Sequence, residues 1–151
     1  MSTFYQLPFR AGQAGATRRF ERCDLATSVR QHLHLLLQTM PLSHRFAATY
    51  GSVLNTQHFR LPTDERSSKR FEQEIRDRVS RNLSFLIRTY EPRLRSNDVA
   101  VSIRLPTIGD NVVDKKRLTD VRLILDITII GELLEDYQSR PFDFSETYAL
   151  L

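Results

Sequence analysis

With a single cysteine, Cys23, in 151 residues, the chain can form no internal disulfide and no cysteine-based zinc cage, which suits a reducing compartment. Glycine and proline are scarce at five and six residues, and neither a low-complexity run nor a repeat is present, so extended disorder is expected only at the ends. The apolar runs fall far short of the roughly 20 residues that a membrane-crossing helix needs. The N-terminus also lacks the charged-then-apolar pattern of a signal peptide. These absences predict a cytoplasmic protein with no membrane insertion. Catalytic signatures are missing as well: there is no Gly-rich phosphate loop, no Gly-x-Ser-x-Gly elbow and no His-Glu-x-x-His pattern. A carboxylate pair, as in glycoside hydrolysis, is the remaining enzymatic option, with Glu91 as one member. Among eighteen acids some pair is always available, and none has an apolar setting that would raise its pKa, so no catalytic residue is assigned.

What is present is an ordinary globular composition, 40% hydrophobic and 26% charged, in a length that fits one domain. A chain of this size can bury roughly two-thirds of the surface it exposes when unfolded. The net charge of +4 and a pI near 9.6 raise nucleic acid or an acidic surface as partners. The arrangement of the charges argues for neither. Glu72/Arg76, Glu74/Arg78 and Asp77/Arg81 each place an acid four residues ahead of a base, the favourable order for pairing on a solvated helix face. Charge is also polarised along the chain, with Arg10, Arg18, Arg19 and Arg22 near the start and Glu132, Glu135, Asp136, Asp143 and Glu146 near the end.

The stretch FEQEIRDRVSRNLSFLIRTYEPR, residues 71–93, organises the rest. Phe71, Ile75, Val79, Leu83, Leu86, Ile87 and Tyr90 recur at steps of three and four and predict one buried face of a helix. Pro92 ends it, because proline donates no backbone N–H and drives Glu91 toward extended geometry. Glu91 and Arg93 therefore flank a rigid residue at a helix-to-strand corner, where a turn can aim both side chains outward. That corner is the first candidate for function.

Upstream, Phe4, Tyr5, Leu7, Pro8 and Phe9 precede AGQAGATRR, which predicts an extended apolar arm over residues 1–22 on a flexible link. Such an arm docks either on its own domain or on a neighbour. A second helix follows, capped by Asp24 or Thr27, with Leu25, Val29, Leu33, Leu36, Leu37 and Met40 on its apolar face and Pro41 at its end. His32 and His34 lie two apart on this helix, point in different directions and do not form a metal pair. His44 and His58 have no ligand-spaced companions, so no metal site is expected. Between the helices, Arg45 to Tyr50 is expected to make a short helical turn ended by a left-handed Gly51, with an irregular connection to about Ser68. A connection of that length either covers one end of the core or carries binding function.

Downstream, NDVAVSIRLP alternates as a half-buried strand with Val99, Val101, Ile103 and Leu105 inward. A loop with a Gly-Asp-Asn turn signal and three consecutive basic residues runs to about Leu118. DVRLILDITIIGEL alternates again, with Val121, Leu123, Leu125, Ile127 and Ile129 inward and Arg122, Ile124, Asp126, Thr128 and Ile130 outward. Ile124 and Ile130 on the outer face imply that another segment or another protein covers part of it. Phe142 and Phe144 alternate in the tail, which either wraps on its own domain or adds a third, edge strand open to a partner strand. The expected fold is α+β: two main helices packed on a small antiparallel sheet, in a single domain over residues 23–151.

Taken together, QHLHLLLQTMPLSHRF, the following Tyr50-Gly51, a long amphipathic helix ending in YEPRL and an alternating hairpin resemble the small baseplate wedge family of contractile tails. That family includes the lysozyme-like wedge subunit of contractile phages and the TssE subunit of type VI secretion. The resemblance covers roughly residues 24–131, and its sharpest part is Glu91-Pro92-Arg93, similar to the family's Glu-Pro-Arg signature. The N-terminal arm and QHLHLLL helix look more like type VI subunits of the Bacteroidetes kind. The resemblance implies a structural subunit, without cofactor or small-molecule ligand, that links the baseplate wedge to the sheath and helps sheath assembly start. Its implied partners are TssF-like and TssG-like wedge subunits and TssB-like and TssC-like sheath subunits, not nucleic acid. Carried over to this chain, Glu91, Pro92 and Arg93 would hold the wedge contact. The hairpin and tail, through Arg122, Ile124, Asp126, Ile130, Phe142 and Phe144, would face the sheath or a partner strand. A peptidoglycan-cleaving, lysozyme-like enzyme is the alternative function. The aromatic arm and Phe-bearing tail depart from the signature, and no second catalytic acid can be matched.

Overall fold

The computed structural model describes residues 4–5, 22–43, 45, 47–55, 65–104, 123–135 and 138–150. In chain order these form β1 (Phe4–Tyr5), β2 (Arg22–Cys23), α1 (Leu25–Gln38), a single 3-10 turn (Val53–Asn55), α2 (Glu65–Tyr90), β3 (Leu94–Arg104), β4 (Leu123–Glu135) and β5 (Gln138–Leu150). The α+β class is as the periodicities predicted. The long loop after β3, Val121, Arg122, His44, His58 and most of the N-terminal arm lie outside the described residues.

Helix α1 begins at Asp24, whose side chain accepts from the Thr27 backbone N–H at 2.8 Å. It ends two residues earlier than expected: Thr39 is already extended, and its N–H closes the helix on the Leu35 carbonyl. Met40 therefore leaves the apolar face and is exposed. No helical turn forms over the described part of Arg45 to Tyr50. Gly51, however, does take a positive φ of 118° and is buried against the end of α1. The chain passes so close there that the Ser52 N–H donates to the Thr39 carbonyl at 3.0 Å.

Helix α2 buries Ile75, Val79, Leu83, Leu86 and Ile87, the face that the spacing marked, and packs on β3. The sheet has the order β3-β4-β5, antiparallel throughout. β3 starts at Leu94, earlier than its alternation suggested, because a bulge between Ser96 and Asp98 resets the register and hides the period. β4 runs through Gly131, which sits opposite Phe142, to Glu135. The tail forms the third strand, so β3 and β5 are the two edges among the described residues. Phe142 and Phe144 are buried in the core with Ile127, Ile129 and the α1 leucines. They therefore face the core rather than an open surface, on the same strand parity as the inward side of β4.

The outer sheet face is polar in its middle. Arg104 pairs with Asp126 at 2.8 Å, Thr147 donates to the other Asp126 oxygen at 2.7 Å, and Thr128 meets Ser145 at 3.3 Å. Ile124 and Ile130, both expected on this face, fare differently. Ile124 is fully buried and Ile130 is 49% exposed.

Gly51 gives the fold a direct test. A Cβ at this position would stand 2.6 Å from the Thr39 carbonyl oxygen and 2.8 Å from the Met40 carbonyl carbon, backbone atoms that cannot rotate away. Left-handed strain alone costs on the order of 1–3 kcal/mol. Gly51→Ala is expected to lose at least about 2 kcal/mol in urea unfolding; an unchanged midpoint would show that the crossing is loose.

Candidate functional site

At the end of α2 the backbone closes a tight corner. The Glu91 N–H completes the helix on the Ile87 carbonyl at 2.9 Å, and the Glu91 carbonyl then accepts from Leu94 N–H at 3.1 Å across Pro92. Arg93 joins the sheet through its carbonyl, which accepts from Leu134 N–H at 2.9 Å. Two consecutive elements thus meet within three residues. The Pro92 ring, lacking an N–H, sits at the exposed apex.

The side chains do not both point outward, as the sequence had suggested. Glu91 is fully buried. Its two oxygens are gripped in a fork by Arg93, Nε to Oε1 and Nη2 to Oε2, each at 2.7 Å. The Arg93 backbone N–H adds a longer bond to Oε1 at 3.3 Å. From α1, His32 Nδ1 donates to Oε2 at 2.7 Å. The physical reason is valence: a carboxylate turned into the core requires several donors, and the corner supplies them from both sides. Arg93 in turn donates from Nη1 to Ser28 Oγ at 3.0 Å and lies over the Phe4 ring at 5.2 Å. Three of its five N–H groups are thereby used, and its side chain remains 31% exposed. His32 stacks on Tyr50, which meets Tyr90 edge-on, and the Tyr90 hydroxyl bonds Thr49.

Sequence reasoning found Glu91, Pro92 and Arg93 but read His32 as an ordinary helical position and passed over Ser28. A signal was there: Ser28 and His32 are four apart, so both fall on one flank of the α1 apolar stripe, where a polar pair implies a polar counterpart. The two histidines do diverge. His34 Nδ1 meets Glu146 Oε1 at 2.7 Å and ties α1 to β5, where Arg30 also lies over the Phe142 ring at 4.9 Å. The remaining sequence candidates do not form one surface: Asp126 is engaged with Arg104 and Thr147, while Ile124, Phe142 and Phe144 are buried.

Burial would push the Glu91 carboxyl up, but the hydrogen bonds from His32 and Arg93 and their charges outweigh it and hold it below the usual glutamate value. A carboxylate held ionised, inaccessible and forked to arginine is a poor proton donor, so Glu91 does not suit the general-acid role in glycoside cleavage. The arrangement is a structural clasp with an exposed apex. No helix among the described residues is long and apolar enough to cross a membrane.

The corner thus joins α1, the end of α2 and the start of β3 through one buried carboxylate. Residues 23–135 match the baseplate wedge protein gp25 family, and the chain belongs to that family. No curated protein matches it. Among solved structures, a chain of the baseplate complex from the type VI secretion system has a similar fold, with a TM-score of 0.50 at 15% identity over 93% of this chain and 99% of that one.

Truncating Glu91 to alanine leaves Arg93 and His32 facing an empty, buried site. Breaking one member of such a set costs about 3–5 kcal/mol, so Glu91→Ala should lower the melting temperature by on the order of 10 °C. Acid should act on the same group. The depressed folded pKa means its stabilisation is complete above the unfolded value, about 4.3, and is lost as pH falls through the lower folded value. Melts from pH 7 to 3 should therefore steepen below about pH 4 in the wild type and less so in Glu91→Gln; parallel curves would remove the clasp from the acid response.

Proposed function

We propose that the protein is the baseplate wedge subunit of a type VI secretion system or a related contractile injection machine, linking the wedge to the sheath and helping sheath assembly begin. The family match over residues 23–135 carries this reading, since it spans α1, the clasp and the first two strands of the sheet. The role is structural and cytoplasmic, with large TssF-like and TssG-like subunits as wedge partners and TssB-like and TssC-like subunits as sheath partners.

Within this reading the corner works in two layers. Pro92 and the open flank of Arg93 make the wedge contact, and buried Glu91 acts through them by fixing their position. On the sheet side the exposed candidates are Ile130, Leu134 four residues further along β4 at 47% exposure, and the edge of β5 left open among the described residues. Phe142 and Phe144 contribute by holding β5 to the core.

Single removals at the clasp confound contact with folding, whereas replacing Glu91 and Arg93 together leaves neither of the forked charges without the other. The expected outcome is that tagged wild type co-purifies with the large wedge subunits encoded in the same genome. Glu91→Leu/Arg93→Met, folded by circular dichroism, should lose at least about ten-fold of that complex, the scale of a broken interfacial charge contact. Equal recovery by both would take the corner out of the interface. Failure of folded wild type to recover any wedge subunit would overturn the baseplate reading itself.

A further inference from the structure

Beyond the clasp, a cleft of about 680 Å³ opens between the outer flank of α2 and the start of β3. Ile87, Leu94, Val99, Pro92 and Leu134 line it with carbon, and Arg88 and Arg95 also line it. Both guanidinium groups are exposed, and among the described residues neither has a hydrogen-bond or ion-pair partner. The floor is closed by Ser80, whose hydroxyl donates to the Val99 carbonyl at 2.9 Å, and Ser84 turns its hydroxyl back to the Ser80 carbonyl at 2.8 Å. Four residues before Ser80 on the same helix flank, Arg76 keeps a buried Nε–H with no acceptor. Among the described residues Asp98 is the one acid on the lining.

We propose that this cleft binds an acidic segment of a partner protein, one in which a carboxylate stands beside an aliphatic side chain. Charge selects the occupant: among the described residues Arg88 and Arg95 are unpaired on a lining that mixes aliphatic carbon with the Ser80 and Ser84 hydroxyls, and Asp98 offsets only part of their charge. The exposed aliphatic surface of Leu134 and Pro92 requires a carbon side chain to cover it, which a nucleic-acid backbone lacks. The size is that of clefts that enclose a small-ligand volume, enough for a few side chains. The acidic side chains of this chain's own β5 are poor candidates. Glu146 is held by His34, and Asp143 faces Arg30 at 3.9 Å. The inference goes beyond the baseplate reading: the cleft shares Pro92 and Leu134 with the surfaces proposed above, but its argument rests on Arg88 and Arg95, which that reading does not use.

The test uses random twelve-residue peptides displayed on phage and selected on the full chain. The enriched consensus is then synthesised with a fluorescent label and titrated by anisotropy. The expected consensus holds aspartate or glutamate next to leucine, isoleucine or valine. Arg88→Glu/Arg95→Glu should weaken its binding at least ten-fold with an unchanged melting temperature, and Leu134→Ser should weaken it several-fold. A neutral or basic consensus, no enrichment, or binding that survives the double charge reversal would each overturn the proposal. So would displacement of the peptide by a single-stranded DNA oligonucleotide at equal concentration with no sensitivity to Leu134→Ser, which would make the cleft a polyanion site. Because the selection uses no wedge subunit, its failure is separable from failure of co-purification.

Discussion

A carboxylate sealed inside a small domain has to be answered by donors from its surroundings, and in this fold the answer to Glu91 determines how four segments sit together. Arg93 supplies the fork from two residues away, a contact that closes almost no loop. His32 and Ser28 supply the long-range part from α1, and the Phe4 ring lies on the far side of the guanidinium. The local half of the set is cheap in chain entropy, so the ordering cost falls on bringing α1 to the corner. That arrangement couples the end of α2, the start of β3 and one flank of α1 through a single ionised group.

The clasp also separates two tasks that the sequence places in adjacent residues. Glu91 holds the corner from inside, whereas Pro92 and part of Arg93 remain at the surface. A rigid apex on a fixed base suits recognition, because little freedom is left to lose when a partner arrives. The sheet has a similar division. Its inner side carries the aliphatic and aromatic packing, and its outer side carries a band of short polar side chains around Asp126 with Ile130 left exposed.

Much of this was legible in the chain. The apolar spacing of α2, the Asp24 cap, the stop at Pro92 and the alternation of β4 each arise from local periodicity or local backbone chemistry, and each is found. The unusual backbone of Gly51 was legible for the same reason. Other features depend on partners distant in sequence. The orientation of Glu91 depends on donors that include His32, 59 residues away, and no local rule says whether a carboxylate at a turn faces water or a waiting imidazole. Phe142 and Phe144 alternate equally well on an outward or an inward face. Their direction depends on register with Gly131 and Ile129, which spacing alone leaves open. The bulge near Asp98 hid the beginning of β3 by breaking the very period that reveals strands.

The proline in β5 divides that edge into unequal parts. Pro141 stands opposite Glu132, with three residues of the strand before it and the run from Phe142 to Leu150 after it. A proline brings no N–H to a ladder, so β5 has one donor fewer at this position than an unbroken strand would have. The proline thus divides β5 into a short first part and a longer second one. The opposite edge has its own obstruction in the Ser80 hydroxyl on the Val99 carbonyl and the nearby bulge. Among the described residues the two edges of the sheet are therefore interrupted at different places, β5 near its start and β3 near its bulge.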